Sequence, residues 1–187
     1  MAARPHHAHT RRRHRRRHGR HHRHTVRRLR ARGGEATVQA LTLIIPRPPV
    51  PKGRPRVYKG RGVTPERTRR EEQAIRDIFR EEYPDFTPLT GRLLVTCQFW
   101  MPRNGRPDVD NLLKLVTDSL NGLAYKDDEQ IELLMGIRHL PDRKVPGRNG
   151  KPRWRKAGDP LTCCGEPYEP HTSIRIEETI NQEGNQS

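Results

Sequence analysis

Long apolar runs are missing from this chain, and with them any segment able to span a bilayer or form the apolar core of a signal peptide. The expectation is a soluble, intracellular protein. Cysteine is nearly absent. Cys97, Cys163 and Cys164 are an odd number without framework spacing, which argues against a disulfide scaffold and fits a reducing compartment. Cys163 and Cys164 are adjacent rather than spaced as a metal-binding pair. With His171 they would supply three zinc ligands, but a fourth is not evident, so they read as two unconnected thiols in a loop.

Acid is also missing, but only locally. Residues 1–32 contain thirteen Arg, eight of the ten His and no Asp or Glu, so about +13 of the formal +16 lies there and the body carries about +3. That stretch has no helical or strand period and almost nothing apolar to bury. Residues 1–34 therefore read as a disordered polycationic tail, either merely solvated or attracted without sequence preference to phosphates. The remaining length suits one domain, residues 35–181, with a disordered end over 182–187.

Within the body, apolar periods place the elements. Residues 36–45 read as a well-buried strand, with Leu41, Leu43 and Ile45 on one side. Residues 46–63 hold Pro46, Pro48, Pro49, Pro51 and Pro55 and read as an exposed cationic loop. Thr64 is placed as an N-cap and Pro65 at the first helical position, opening a helix whose apolar face is Ala74, Ile75, Ile78, Phe79 and Tyr83; Pro84 ends it. A strand is expected over 93–101 and a helix over 111–120, with Leu112, Leu113, Leu115, Val116 and Leu120 on its core side and Asn121-Gly122 as its stop. Residues 130–140 read as extended, 141–171 as a long basic loop and 172–180 as a last strand. The class is α/β (α+β): one domain in the order β-α-β-α-β-β, a mixed sheet packed on two helices.

Negative charge gathers in one place, along Arg106-Pro107-Asp108-Val109-Asp110-Asn111-Leu112-Leu113-Lys114 and then Asp127-Asp128. Asp108 and Asp110, two apart at a strand-to-helix junction, can face the same way. Asp110, Lys114 and Asp118 follow at steps of four on one helix face. If the strand after Asp128 pairs beside the one ending at Met101, its carboxylate returns to the same edge. Converging carboxylates repel unless a cation neutralises them, and oxygen ligands without Cys or His select Mg²⁺ or Mn²⁺. Such an ion in a basic protein suits phosphodiester chemistry, with Lys114 stabilising the extra charge. The plainer alternative makes Asp110 an N-cap with Lys114 as its surface partner, and Asp118 a partner for Lys114. The residues alone do not choose between Asp127 and Asp128. An EF-hand is excluded, since its sixth and twelfth positions would be Leu113 and Ser119.

These residues resemble the RusA family of Holliday junction resolvases, found in phages, prophages and bacteria. The resemblance rests on the 106–114 run, on Asp118-Ser119-Leu120-Asn121-Gly122, on Lys126-Asp127-Asp128-Glu129-Gln130-Ile131, and upstream on Pro49-Val50-Pro51-Lys52-Gly53-Arg54-Pro55-Arg56 and Thr64-Pro65-Glu66-Arg67-Thr68. It implies a cytoplasmic, Mg²⁺-dependent homodimeric endonuclease in a bacterial or phage-infected cell. Such an enzyme resolves four-way DNA junctions by paired symmetric nicks in recombination and repair. Carried over, it implies metal ligands Asp108, Asp110 and Asp128 and a catalytic Lys114. The His/Arg tail has no counterpart in the family pattern, and the insert over 141–171 is longer and more basic than that pattern. Arg54, Arg56 and Lys59 are candidate phosphate contacts, as is Arg153 in the insert, where Trp154 is placed to stack on an unpaired base. The competing expectation is a non-catalytic basic DNA-binding or packaging protein.

Overall fold

Leu93, Val95, Cys97 and Phe99 are buried while the residues between them are half-buried, and this period of two makes a strand with one face in the core. A computed structural model of the chain describes residues 25–31, 34–54, 56–58, 61–105 and 107–180. In chain order the elements are β1 (Thr25–Ala31), β2 (Gly34–Ile45), β3 (Arg56–Tyr58), β4 (Arg61–Val63), α1 (Glu66–Glu82), β5 (Arg92–Trp100), α2 (Val109–Leu120), β6 (Ile131–His139), β7 (Lys144–Pro146), β8 (Pro152–Trp154), β9 (Thr162–Cys163), β10 (Glu166–Pro167) and β11 (His171–Ile180). One turn of 3-10 helix, Asp128–Gln130, precedes β6.

Five strands form one mixed sheet in the order β1-β2-β11-β5-β6. Every neighbouring pair is antiparallel except β5 with β6, which run parallel with Trp100 opposite His139. The parallel pair follows from its connection: α2 carries the chain back to the starting end of β5 before β6 begins. Both helices lie on one face. Ile75 and Phe79 of α1, and Leu112, Leu113, Leu115, Val116 and Leu120 of α2, are buried there against Leu41, Leu43, Val95, Ile174 and Ile176. Each such aliphatic side chain contributes about 1.5–3 kcal/mol by leaving water. Among the described residues no helix is long and apolar enough to cross a membrane.

Several local expectations shift. Helix α1 starts at Glu66, with Pro65 at the N-cap in an extended conformation (φ −55°, ψ 141°) and no side-chain cap, so Thr64 does not cap it. Helix α2 begins two residues earlier than the apolar pattern suggested and ends before Gly122, whose φ of +74° is the left-handed geometry glycine tolerates. The proline-rich stretch contains the small β3–β4 hairpin, and the basic stretch after Pro141 contains the β7–β8 and β9–β10 hairpins. Residues 25–31, assigned by composition to the tail, form β1 on the edge of the sheet; residues 1–24 and 181–187 lie outside the described residues.

Candidate active site

The loop between β5 and α2 is held by three hydrogen bonds to the far end of β6 and the residues just after it. Met101 N–H donates to His139 O at 2.9 Å, Asn104 Nδ2 to Pro141 O at 2.8 Å and Arg138 Nη1 to Pro107 O at 2.5 Å. Gly136 lets α2 lie close: a methyl there would come within 2.7 Å of Val109 Cγ2 and 2.9 Å of Leu113 Cδ1. These contacts fix the first turn of α2. Asp108 occupies its N-cap in an extended conformation, yet its side chain caps nothing; Asp110 follows inside the first turn. Both are exposed at the N-terminal end of the helix. Lys114, one turn further, is exposed and makes no ion pair among the described residues. The capping and surface-pair alternative for Asp110 and Lys114 is therefore not what the fold does.

Asp118, on the same helix face, has a different job. Its carboxylate pairs with Lys52 Nζ, which also meets Glu72 Oε1 at 3.1 Å. Lys52 N–H donates to Asn111 O at 2.8 Å, and Arg76 donates to the carbonyls of Asp118 and Ser119 at 3.3 and 3.2 Å. The proline-rich segment is thus stitched across α1 and α2. Arg54, two residues on, is exposed, and Gly53 before it donates its N–H to Thr68 Oγ1 of α1 at 3.0 Å. Arg56 lies in β3, and its side chain, like Lys59, is outside the described residues.

Asp127 and Asp128 are separated by function of the turn they make. Asp127 caps the 3-10 turn: its Oδ1 accepts from Glu129 N–H at 3.1 Å, while Gln130 Oε1 accepts from Asp127 N–H at 2.9 Å. Gln130 Nε2 in turn holds the carbonyls of Leu89 and Gly91. Asp128 is exposed and caps nothing. It lies near Tyr125, whose hydroxyl donates to Thr117 O at 2.8 Å and is pushed up in pKa first by burial and then by the Asp128 charge.

Asp128 is not beside Asp108 and Asp110. Strand β6 does pair with β5, but in parallel, so Asp128 enters at the Leu93 end while the other two lie beyond the Trp100 end. The seven-residue step along β6 from Ile131 to Arg138, which holds Pro107, spans roughly 23 Å. The expected return of all three carboxylates to one edge fails within a single chain, because the helical crossover spends the intervening length. Among the described residues no group of three or more His, Cys, Asp or Glu side chains is set to hold a metal. The same holds for Cys163, Cys164 and His171: the thiols are free, and His171 stacks on Trp100 at 5.5 Å.

In the basic insert, Arg153 is occupied. Its two Nη atoms bind both oxygens of Asp159 at 2.7 and 2.8 Å, and this pairing holds the Asp159 carboxyl well below the usual range. Trp154 is 65% exposed, with Lys144 Nζ 5.3 Å from its ring.

Two features escaped sequence reading. Arg138 and Asn104 act through backbone carbonyls, which no motif marks. Strand β6 is an open edge whose Leu133, Leu134, Met135 and Ile137 are 40–45% exposed. Three successive apolar residues on a strand put apolar side chains on both faces, and that signal was present in Leu133-Leu134-Met135.

The family model for endodeoxyribonuclease RusA matches residues 46–147. No curated protein matches the chain. The matched span runs from the proline-rich segment through α1, β5, α2 and β6 into the first strand of the basic hairpin. It contains Asp108, Asp110, Lys114 and Asp128 and covers more than half of the 187 residues. The chain belongs to the RusA family and is an endodeoxyribonuclease that acts on Holliday junctions, the four-way branch points of DNA.

Proposed function

We propose that the protein resolves four-way junctions as an Mg²⁺-dependent homodimer, by paired symmetric nicks, with each metal site drawn from two protomers. The observation that carries this reading is the parallel register of β5 and β6, which parts Asp128 from Asp108 and Asp110 in one chain. An antiparallel pairing of β6 with its own copy would reverse that separation. With Ile131 of one protomer opposite His139 of the other, the partner's Asp128 arrives near Pro107 and Asp108. The same pairing would cover the apolar edge, which in a free monomer invites aggregation. A two-fold dimer also suits a substrate with two equivalent strands.

Asp108 and Asp110 fit a divalent cation. Both are exposed, neither is spent on capping, and hard oxygen donors without Cys or His suit Mg²⁺, with Mn²⁺ as substitute. When bound, the cation polarises the scissile phosphate and acidifies an attacking water. Lys114 stabilises the charge that develops on the phosphate oxygens. Arg54, with Arg56 and Lys59 beyond it, holds neighbouring phosphates and sets the strand in register.

End-labelled four-way junctions, incubated with Mg²⁺, with Mn²⁺ and with chelator, test the reading. Wild type nicks opposing strands at symmetric positions only with a divalent ion. Asp110→Asn binds the junction but cuts it at least about 100-fold more slowly. Metal-independent cleavage, or an Asp110→Asn variant as fast as wild type, overturns the assignment.

A further inference from the structure

Most of the basic insert lies beyond the matched family span, and its geometry is specific. Residues 141–160 hold seven Lys or Arg against two Asp. Both acids are used inside the insert. Asp142 accepts from Cys164 N–H and Gly165 N–H at 3.0 and 2.9 Å, and Asp159 binds Arg153 and Lys156 N–H. Arg155 is also spent, on the carbonyls of Asp159 and Pro160 at 2.9 Å. The exposed heads of Arg143, Lys144, Arg148, Lys151 and Lys156 have no acid partner among the described residues. Over residues 141–160 the free charge is therefore cationic, and such a surface attracts phosphate.

The β7–β8 hairpin is braced. Val145 is buried, Gly147 N–H donates to Lys151 O at 2.9 Å, and Arg155 N–H donates to Arg143 O at 2.9 Å. Lys144 and Trp154 are direct cross-strand partners, so ammonium and indole share one face. The hairpin's root, Pro141, is buried and tied by Asn104 to the loop that leads to Asp108. The exposed indole therefore stands at the same end of the sheet as Asp108 and Asp110. Burying so large an apolar ring needs a flat apolar partner, and its cationic surround selects one that carries phosphates.

We infer that Trp154 stacks on a nucleobase exposed at the branch point of four-way DNA, while Lys144 and its cationic neighbours hold the flanking phosphates. In a linear duplex each base face is covered by its neighbour; where four arms meet, stacking is interrupted and a base face is open. Trp154 is thus a specificity-determining residue for branched over linear DNA. This inference rests on the resolvase reading, but it is read by binding without metal, whereas that reading is judged by nicking with metal, so either can fail alone.

The test measures equilibrium binding of the full chain, in chelator, to a four-way junction and to a linear duplex of the same arm sequence. Trp154→Ala is expected to weaken junction binding about tenfold while duplex binding stays within about twofold, and Trp154→Phe to restore most of the loss. Lys144→Gln lowers both affinities alike and flattens the salt dependence. A 2-aminopurine at the branch point is quenched by wild type and not by Trp154→Ala. An unchanged junction-to-duplex ratio in Trp154→Ala, or equal quenching by both proteins, overturns the inference.

Discussion

Lys52 Nζ and Asp118 Oδ2 form an ion pair between the proline-rich segment and α2, 66 positions apart in sequence and less than a third exposed on either side. Asp118 is therefore occupied in holding the fold. Asp118→Asn should lower stability by about 1–2 kcal/mol, because it leaves the Lys52 charge half-buried with Glu72 alone. Urea titration of the variant and of Lys52→Met, with a double-mutant cycle, checks this; the double variant should cost less than the two singles together. Junction cleavage by folded Asp118→Asn should match wild type. Lost cleavage at unchanged stability would move Asp118 into the reacting site.

How much of this was legible in the sequence depends on how far each interaction reaches. The core faces of α2 and β5 could be read because their periods are local. Asp127 was also readable in principle: Asp127 and Gln130, three apart before an apolar run, are a capping-box pattern. The partner of Asp118 was not, since no local rule links it to Lys52. Asp108, Asp110 and Asp128 do not converge within one chain, for a physical reason. A strand–helix–strand connection returns the chain to the end where it began, so a residue entering β6 cannot meet residues leaving β5. The resemblance in the 106–114 run and at 126–131 identified the family where residue chemistry alone supported only metal-dependent cleavage of nucleic acid. Family membership sets aside the non-catalytic packaging alternative.

Asp127→Ala removes the cap of the turn that launches β6. A loss of about 0.5–2 kcal/mol in chemical denaturation is expected, with cleavage retained in the folded fraction. A variant as stable as wild type but inactive would reverse the roles assigned to Asp127 and Asp128.

Met135 is exposed on the β6 edge. Met135→Glu should leave the monomer folded and prevent pairing of two edges, since the new charges would be desolvated face to face. Sedimentation should show the mass fall to that of one chain, and metal-dependent nicking should be lost with it. A Met135→Glu dimer with full activity would place the interface elsewhere.

Asp159 titrates far below an ordinary aspartate, chiefly through its Arg153 hydrogen bond and then the Lys156 amide. A depressed carboxyl contributes stability that is present above its unfolded value, about 3.9, and lost only as pH falls through the lower folded value. The Trp154 hairpin should thus keep its structure through mild acid. Carbon-detected NMR of the Asp159 carboxyl should give a midpoint well below the ordinary one, restored toward normal by Arg153→Ala. An ordinary midpoint in wild type would show that the pair does not hold the hairpin.

The most direct measurement mixes two inactive proteins. Asp110→Asn and Asp128→Asn are each purified, combined under subunit exchange, and assayed on a four-way junction with Mg²⁺. If each site takes Asp110 from one protomer and Asp128 from the other, the heterodimer holds one intact site and one doubly altered site. Nicking of a single strand should return in the mixture. A mixture as inactive as either variant alone, with exchange demonstrated, would contradict the shared-site account.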